Sequence, residues 1–228
     1  MLVATIVYPL TMTTLRAPLQ QRSRQTREAL LDAAEVLGRT RTFDQLTVQE
    51  TAALAGFTIG AFYARFPAKS SLLEALMERY ESMIDGARRA LDSSEADPRI
   101  VRRLADAFVE AYRANTGRLH LIESAIHADP EHAKRVAAIR STILEFTIEI
   151  LGRTYPIPRK ELETAALLLV VPLRELHYKR EFWPARGSSD AALTSRVVDA
   201  VTSFLGGRQP KRRTTKERQV SRIRRRES

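Results

Sequence analysis

Apolar positions recur at three- and four-residue spacing through most of the chain, and no stretch alternates with the period of two expected of a half-buried strand. Over residues 24–39, Leu30, Ala33, Ala34 and Leu37 mark one helical face, with no proline or glycine before Gly38. Thr47 opens a second helix with a capping box: its hydroxyl is placed to accept from the Glu50 N–H, while the Glu50 carboxylate reaches back to the Thr47 N–H. Val48, Thr51, Ala52 and Ala55 form its inner face. Gly56 suits the left-handed residue after a helix end, and Thr58 caps a new helix two positions later. Two short helices therefore meet at a tight turn. The third is predicted over residues 59–66, with Phe62 and Phe66 on one face, Tyr63 beside them and Pro67 at its end. A fourth follows, striped by Leu72, Leu73, Leu76, Tyr80 and Met83, and runs to about Leu91.

Beyond a break at 92–98, helices are predicted over residues 98–115 (Ile100, Leu104, Phe108, Ala111), 119–128 and 130–153. The last carries Val136, Ile139, Ile143, Phe146 and Ile150 in alternating steps of three and four, the pattern of a helix packed along another helix. Two more, over 158–182 and 188–205, close the body. Residues 165–171 are apolar on every side, so that helix needs cover all round, partly from its own core and partly from a second subunit. Val197, Val198, Val201, Phe204 and Leu205 give the final helix a matching stripe. A homodimer in which these two helices form a four-helix bundle with their symmetry mates accounts for both patterns, with a single-chain core as the alternative. The predicted fold is all-α with about nine helices.

Composition narrows the chemistry. The 228 residues are 44% hydrophobic and 28% charged, with nine glycines, ten prolines and no cysteine, which excludes disulfides, thiolate metal sites and thiol nucleophiles. His120, His127, His132 and Glu123 match no tight metal-ligand spacing. No nucleophile, paired carboxylate cluster or glycine-rich phosphate loop stands out, so an enzyme is not expected. The net charge of +10 invites a polyanion. Its distribution weakens that inference, because residues 208–228 hold ten Lys or Arg against two acids and residues 1–26 add three arginines. The body between is close to neutral. Runs like this basic tail are usually solvated and disordered. Residues 1–15 are uncharged and lack the cationic region of a secretory signal, so a start at Met12 or later is the simpler reading. Residues 165–171 fall far short of the roughly 20 needed to span a bilayer. A soluble cytoplasmic protein, with no membrane partner, is expected.

Helix, glycine-containing turn and helix is the arrangement in which the second helix enters the DNA major groove and the first braces it. Residues 46–73, LTVQETAALAGFTIGAFYARFPAKSSLL, resemble the DNA-binding domain of the tetracycline-repressor (TetR) family. The match rests on Thr47, Ala52, the Ala55-Gly56 turn, Thr58, Gly60, the Phe62-Tyr63 pair, Phe66, Lys69 and Leu72-Leu73, and helix one extends it to about residues 24–84. The resemblance implies an N-terminal arm (1–23), a helix-turn-helix domain (24–84, motif 47–66), a larger helical ligand-binding and dimerisation domain (85–206) and a basic tail (207–228). It also implies a homodimeric repressor on a palindromic operator. In such proteins a small molecule enters the second domain, moves helix four and changes the spacing of the reading heads.

By the same resemblance, Thr47, Tyr63 and Lys69 touch phosphates, and Thr58 caps the recognition helix within reach of phosphate. Gln49, Ile59, Gly60, Ala61 and Arg65 face base edges, where Gln suits adenine, Arg suits guanine, and Ile or Ala packs on a thymine methyl. Two positions depart from the family pattern. Thr51 stands where Ile or Leu is usual, which weakens a small core, and Ile59 stands where a polar or basic residue is common, which removes a hydrogen-bond donor. Specificity then leans on Gln49, Arg65 and methyl contacts, with Arg22 and Arg24 as an arm for the minor groove or phosphates. A pocket for a small apolar effector is expected among Phe108, Tyr112, Glu123, His127 and Phe146, with Pro172 kinking a neighbouring helix; no other cofactor is implied. The competing reading is a helical scaffold that binds nucleic acid without sequence preference through its tail.

Overall fold

The computed structural model describes residues 16–91, 96–126, 129–178 and 189–208. Among these the chain forms nine helices and no strand: α1 (Arg16–Leu37), α2 (Val48–Leu54), α3 (Ile59–Tyr63), α4 (Lys69–Leu91), α5 (Ile100–Ala114), α6 (Thr116–Ala125), α7 (Pro130–Thr154), α8 (Arg159–Tyr178) and α9 (Asp190–Arg208). Two compact units divide the chain, one of residues 1–83 with 115–136 and the other of 84–114 with 137–228. The division cuts α4 and α7, and it groups α6 with the N-terminal helices although residues 85–206 were expected to form one domain.

In the first unit α1 packs on α2, α3 and α6, and α2 on α3. Leu30, Leu31, Ala33 and Ala34 of α1, Phe62 and Phe66, and Leu72, Leu73, Leu76 and Met77 of α4 form its buried interior. Helix α1 starts eight residues before the apolar pattern does. Gln20, Gln21, Arg22, Arg24 and Gln25 are good or adequate helix formers but polar, so this stretch has no stripe to read. Pro18 falls in the first turn, where a backbone N–H has no acceptor within the helix. Arg22 and Arg24 thus stand exposed on a helix, and of the expected N-terminal arm residues 16–23 are helical. Helix α3 closes at Tyr63, short of the expected Phe66, and residues 64–66 continue as a turn in which the Phe66 N–H donates to Phe62 O at 2.8 Å. Pro67 disfavours a helical residue before it.

The C-terminal end of α1 meets the start of α6 backbone to backbone. A Cβ on Gly117 would lie 1.9 Å from the carbonyl oxygen of Glu35, and one on Gly38 would lie 2.5 Å from that of Gly117. Ion pairs fasten the same helices. Glu35 Oε1 accepts from Arg79 Nη1 of α4 at 2.7 Å and from Arg118 Nε of α6 at 2.9 Å, and Arg79 also holds Asp32 and Glu28. Arg118 is buried, so Glu35 is the counter-charge that makes its position tolerable.

In the second unit α8 packs against α5 and α9, and α5 against α9. Ile139, Ile143, Phe146 and Ile150 of α7 are all buried, as their spacing predicts. In α8, Ala165, Ala166, Leu169 and Leu173 are buried, but Leu167, Leu168 and Val171 stand 44–49% exposed. One side of the all-round apolar segment is therefore left exposed among the described residues. Among the described residues no helix is long and apolar enough to cross a membrane. Residues 1–15, the basic tail from 209 onward and the expected end of α8 at 179–182 lie outside the described residues.

Candidate nucleic-acid interface

The site is built on the first unit by α2, the Gly56 turn, α3 and the start of α4. Thr47 caps α2 by accepting from the Glu50 N–H at 3.1 Å. The Glu50 carboxylate returns through the threonine hydroxyl, which donates to Oε2 at 2.8 Å, where the capping-box pattern predicts the backbone N–H of Thr47 as its donor. Its other oxygen holds Arg41 at 3.1 Å. A phosphate reaching the Thr47 hydroxyl must therefore displace Glu50, and Arg41 stands beside it as a cation the sequence pattern did not mark.

Gly56 adopts φ +76°, the one positive φ among the described residues, and it reverses the chain between α2 and α3. A side chain there is disfavoured by about 1 kcal/mol or more. Thr58 caps α3 by accepting from the Ala61 N–H at 3.1 Å, a bond that does not use its hydroxyl proton. Thr51 removes a doubt raised by its polarity: it is fully buried, and its hydroxyl donates to Thr47 O at 2.8 Å. The small core thus contains no unsatisfied hydroxyl at this point.

Phe62 and Phe66 anchor α3 from beneath, with ring centroids 5.3 Å apart. This leaves Ile59 (45%) and Tyr63 (50%) exposed on the outer side, with Gly60 and Ala64 also exposed and Ala61 half-buried. Tyr63 rests edge to face with Phe62, centroids 5.5 Å apart, and is half exposed. Gln49 is exposed on the first turn of α2. Arg65 is half-buried and folded back: Nη1 donates to Ala64 O at 3.1 Å and Nε is buried without an acceptor.

Lys69 sits at the start of α4, its Nζ donating to Asp44 O at 3.2 Å and lying 4.7 Å from the Phe43 ring centroid. Burial holds its pKa below the usual lysine value, with the Asp44 charge opposing that shift. Sequence reasoning missed this cradle because Phe43 and Asp44 lie 25 residues earlier in a loop; the signal available was an aromatic residue in an otherwise polar connection. Between Glu50 and Glu74 the chain carries no carboxylate, while it carries Arg65 and Lys69. This stretch is cationic even though the body is nearly neutral, with Asp44 and Glu50 at its border, and its charge suits an anionic backbone.

The effector residues expected from the sequence are Phe108, Tyr112, Glu123, His127 and Phe146. Phe108 and Tyr112 of α5 stack at 6.3 Å and belong to the second unit with the buried Phe146, Glu123 belongs to the first, and His127 lies outside the described residues. A depression of about 570 Å³ on α5 is lined by Asp106, Val109, Glu110, Arg113 and Ala114.

Residues 30–76 match the bacterial regulatory proteins of the tetR family. The HTH-type transcriptional regulator EthR of Mycolicibacterium smegmatis is 31% identical over 108 residues, a match covering 45% of this chain and 48% of that protein. The match thus spans about half the length of this curated relative. Solved structures share the fold over more of the chain. SCO4454, a TetR-family regulator from Streptomyces coelicolor, aligns with a TM-score of 0.66 and 19% identity, covering 82% of this chain and 97% of that one. FadR from Bacillus subtilis, solved in complex with stearoyl-CoA, aligns with a TM-score of 0.57 and 17% identity, covering 78% and 98%.

Proposed function

From the premise that this chain belongs, by its N-terminal domain, to the tetR family of bacterial regulatory proteins, we propose that it is a sequence-specific DNA-binding transcription regulator, a homodimer that represses from a palindromic operator and responds to a small apolar effector. The observation that carries the reading is the exposed face of α3, pinned by Phe62 and Phe66, capped by Thr58 and set in a stretch without carboxylates. Thr47, Thr58, Tyr63 and Lys69 act on phosphates and fix register, and Gln49, Ile59, Gly60, Ala61 and Arg65 face base edges. Two of these need rearrangement: Lys69 must exchange the Asp44 carbonyl for a phosphate oxygen, and Arg65 must unfold from Ala64 to reach a guanine.

Dimerisation is supported by Leu167, Leu168 and Val171, an apolar strip on α8 that a symmetry mate would cover. A two-fold dimer dictates a palindromic site, with half-sites a whole number of helical turns apart. The stacked Phe108 and Tyr112 supply apolar lining for an effector within the second unit. An effector releases DNA only to the extent that it binds the DNA-free arrangement more tightly, typically by 1–3 kcal/mol. Footprinting of the full chain on the DNA upstream of its own gene, and genome-wide, tests the proposal. A protected palindrome is expected; its absence from both would overturn the reading.

A further inference from the structure

We propose that α3 selects its half-site by thymine 5-methyl groups, with Ile59 as the principal reader. This rests on the DNA-binding reading above and goes further by naming the chemical group recognised. The outer positions of α3 and the residue after it are Ile59, Gly60, Ala61, Tyr63 and Ala64, and among them the tyrosine hydroxyl is the one polar side-chain group. Of the neighbouring polar residues, Thr58 accepts from the Ala61 N–H and is assigned above to phosphate rather than to a base, and Arg65 donates to Ala64 O. A hydrogen-bonded reading of bases by α3 as it stands therefore has almost no donors or acceptors to work with.

Base edges in the major groove offer donors, acceptors and a single apolar group, the C5 methyl of thymine. An isoleucine set over a donor or acceptor removes its water and returns no bond, which is unfavourable. Set over a methyl, it buries apolar surface on both partners. Ile59 has that surface available, being 45% exposed at the first position of α3. Gly60 follows it. A Cβ there would meet nothing nearer than Thr58 Oγ1 at 3.8 Å, and its φ is not positive, so neither space nor backbone conformation requires glycine at this position. What the glycine does provide is a bare backbone beside Ile59, which lets the helix start come close to the base edges. The carboxylate-free stretch with Arg65 and Lys69 supplies the charge match to the flanking phosphates. An apolar protein surface as partner would account for Ile59 but not for that charge pattern.

The test uses the full chain on duplexes enriched from a random library, at one fixed salt concentration. Each thymine of the enriched site is replaced in turn by uracil, which deletes the methyl and leaves the pairing edge intact. At one or more positions per half-site the wild type is expected to lose about three- to fivefold in affinity, the effect of one buried methyl. In Ile59→Ala that position becomes indifferent to uracil while binding persists at lower affinity. Replacing the T·A pair there by 5-methylcytosine·guanine is expected to bind wild type better than cytosine·guanine, because the methyl and not the thymine carbonyl is read. If Ile59→Ala does not fold, Ile59→Ser serves the same comparison. Uniform indifference to uracil in the wild type, or sensitivity that survives both substitutions, overturns the methyl assignment and leaves the DNA-binding reading standing. Failure to enrich any sequence overturns both.

Discussion

Glycine has opposite consequences at two helical positions of this chain. At Gly117 the α1 backbone occupies the space a methyl would need, with Glu35 O only 1.9 Å from the ideal Cβ and Arg39 N at 3.2 Å. Neither atom belongs to a side chain that could swing away, so Gly117→Ala is expected to cost about 2–3 kcal/mol as the two helices separate. Gly86, inside α4, has nothing within 4 Å of its Cβ, and Gly86→Ala is expected to add up to about 1 kcal/mol through helix propensity. Urea unfolding of both variants checks this pair, and equal midpoints would disprove it. Glu35 carries a comparable dependence on one side chain. It is the acceptor shared by Arg79 and the buried Arg118, so Glu35→Ala is expected to cost roughly 3 kcal/mol by leaving Arg118 buried beside an empty site. The same denaturant titration measures it, and a loss below 1 kcal/mol would show that water reaches the guanidinium.

At the scale of the element, α3 has only five residues and cannot persist alone, so its cap and its aromatic anchors decide whether the reading surface exists. Thr58→Ala removes the acceptor of the Ala61 N–H, a loss of about 1 kcal/mol, and is expected to weaken DNA binding more than it lowers the melting midpoint of the whole chain. Equal proportional effects in a binding titration and a thermal melt would argue against a local role. Helix-to-helix clamps add a pH dependence to the first unit. Hydrogen bonds from Arg79 to Glu28 and from Arg135 to Glu81 hold both carboxyls below their ordinary 4.5. Because the folded values are depressed, this stability is fully present above pH 4.5 and is lost as the pH falls through the folded values. Unfolding midpoints should therefore decline on acidification below that point, and Glu28→Gln should reduce the slope; an unchanged slope would assign the loss to other groups. The elements differ in how legible they were. The α7 stripe and the Thr47 and Thr58 caps could be read because each depends on residues within one or two turns. The first turns of α1 could not, because Ala17 and Leu19 beside Pro18 are followed by a polar run without a stripe, and neither could the Lys69 cradle or the Gly38–Gly117 approach, which join segments about 25 and 79 residues apart.

For the whole molecule the decisive feature is the uncovered strip on α8. The pattern of residues 165–171 required apolar cover on all sides; among the described residues Ala165, Ala166 and Leu169 are buried and Val170 half-buried, while Leu167, Leu168 and Val171 remain 44–49% exposed. Three large apolar side chains within five residues form a contiguous patch rather than the scattered exposure that is normal on a soluble surface. A two-fold axis beside this strip would bury the same residues of both copies with no further sequence requirement. Leu168→Glu combined with Val171→Glu would place two carboxylates from each copy in that interface, where like charges oppose association. The proposed homodimer therefore predicts that the native chain sediments at twice 25.8 kDa and the double variant at 25.8 kDa. The variant should keep its helical content, since both positions are exposed in the isolated chain. Its operator affinity should fall steeply, because one reading head then binds without the second held at high effective concentration. A double variant that still sediments as a dimer would move the interface off this strip, and a monomeric variant with unchanged operator affinity would separate dimerisation from DNA binding.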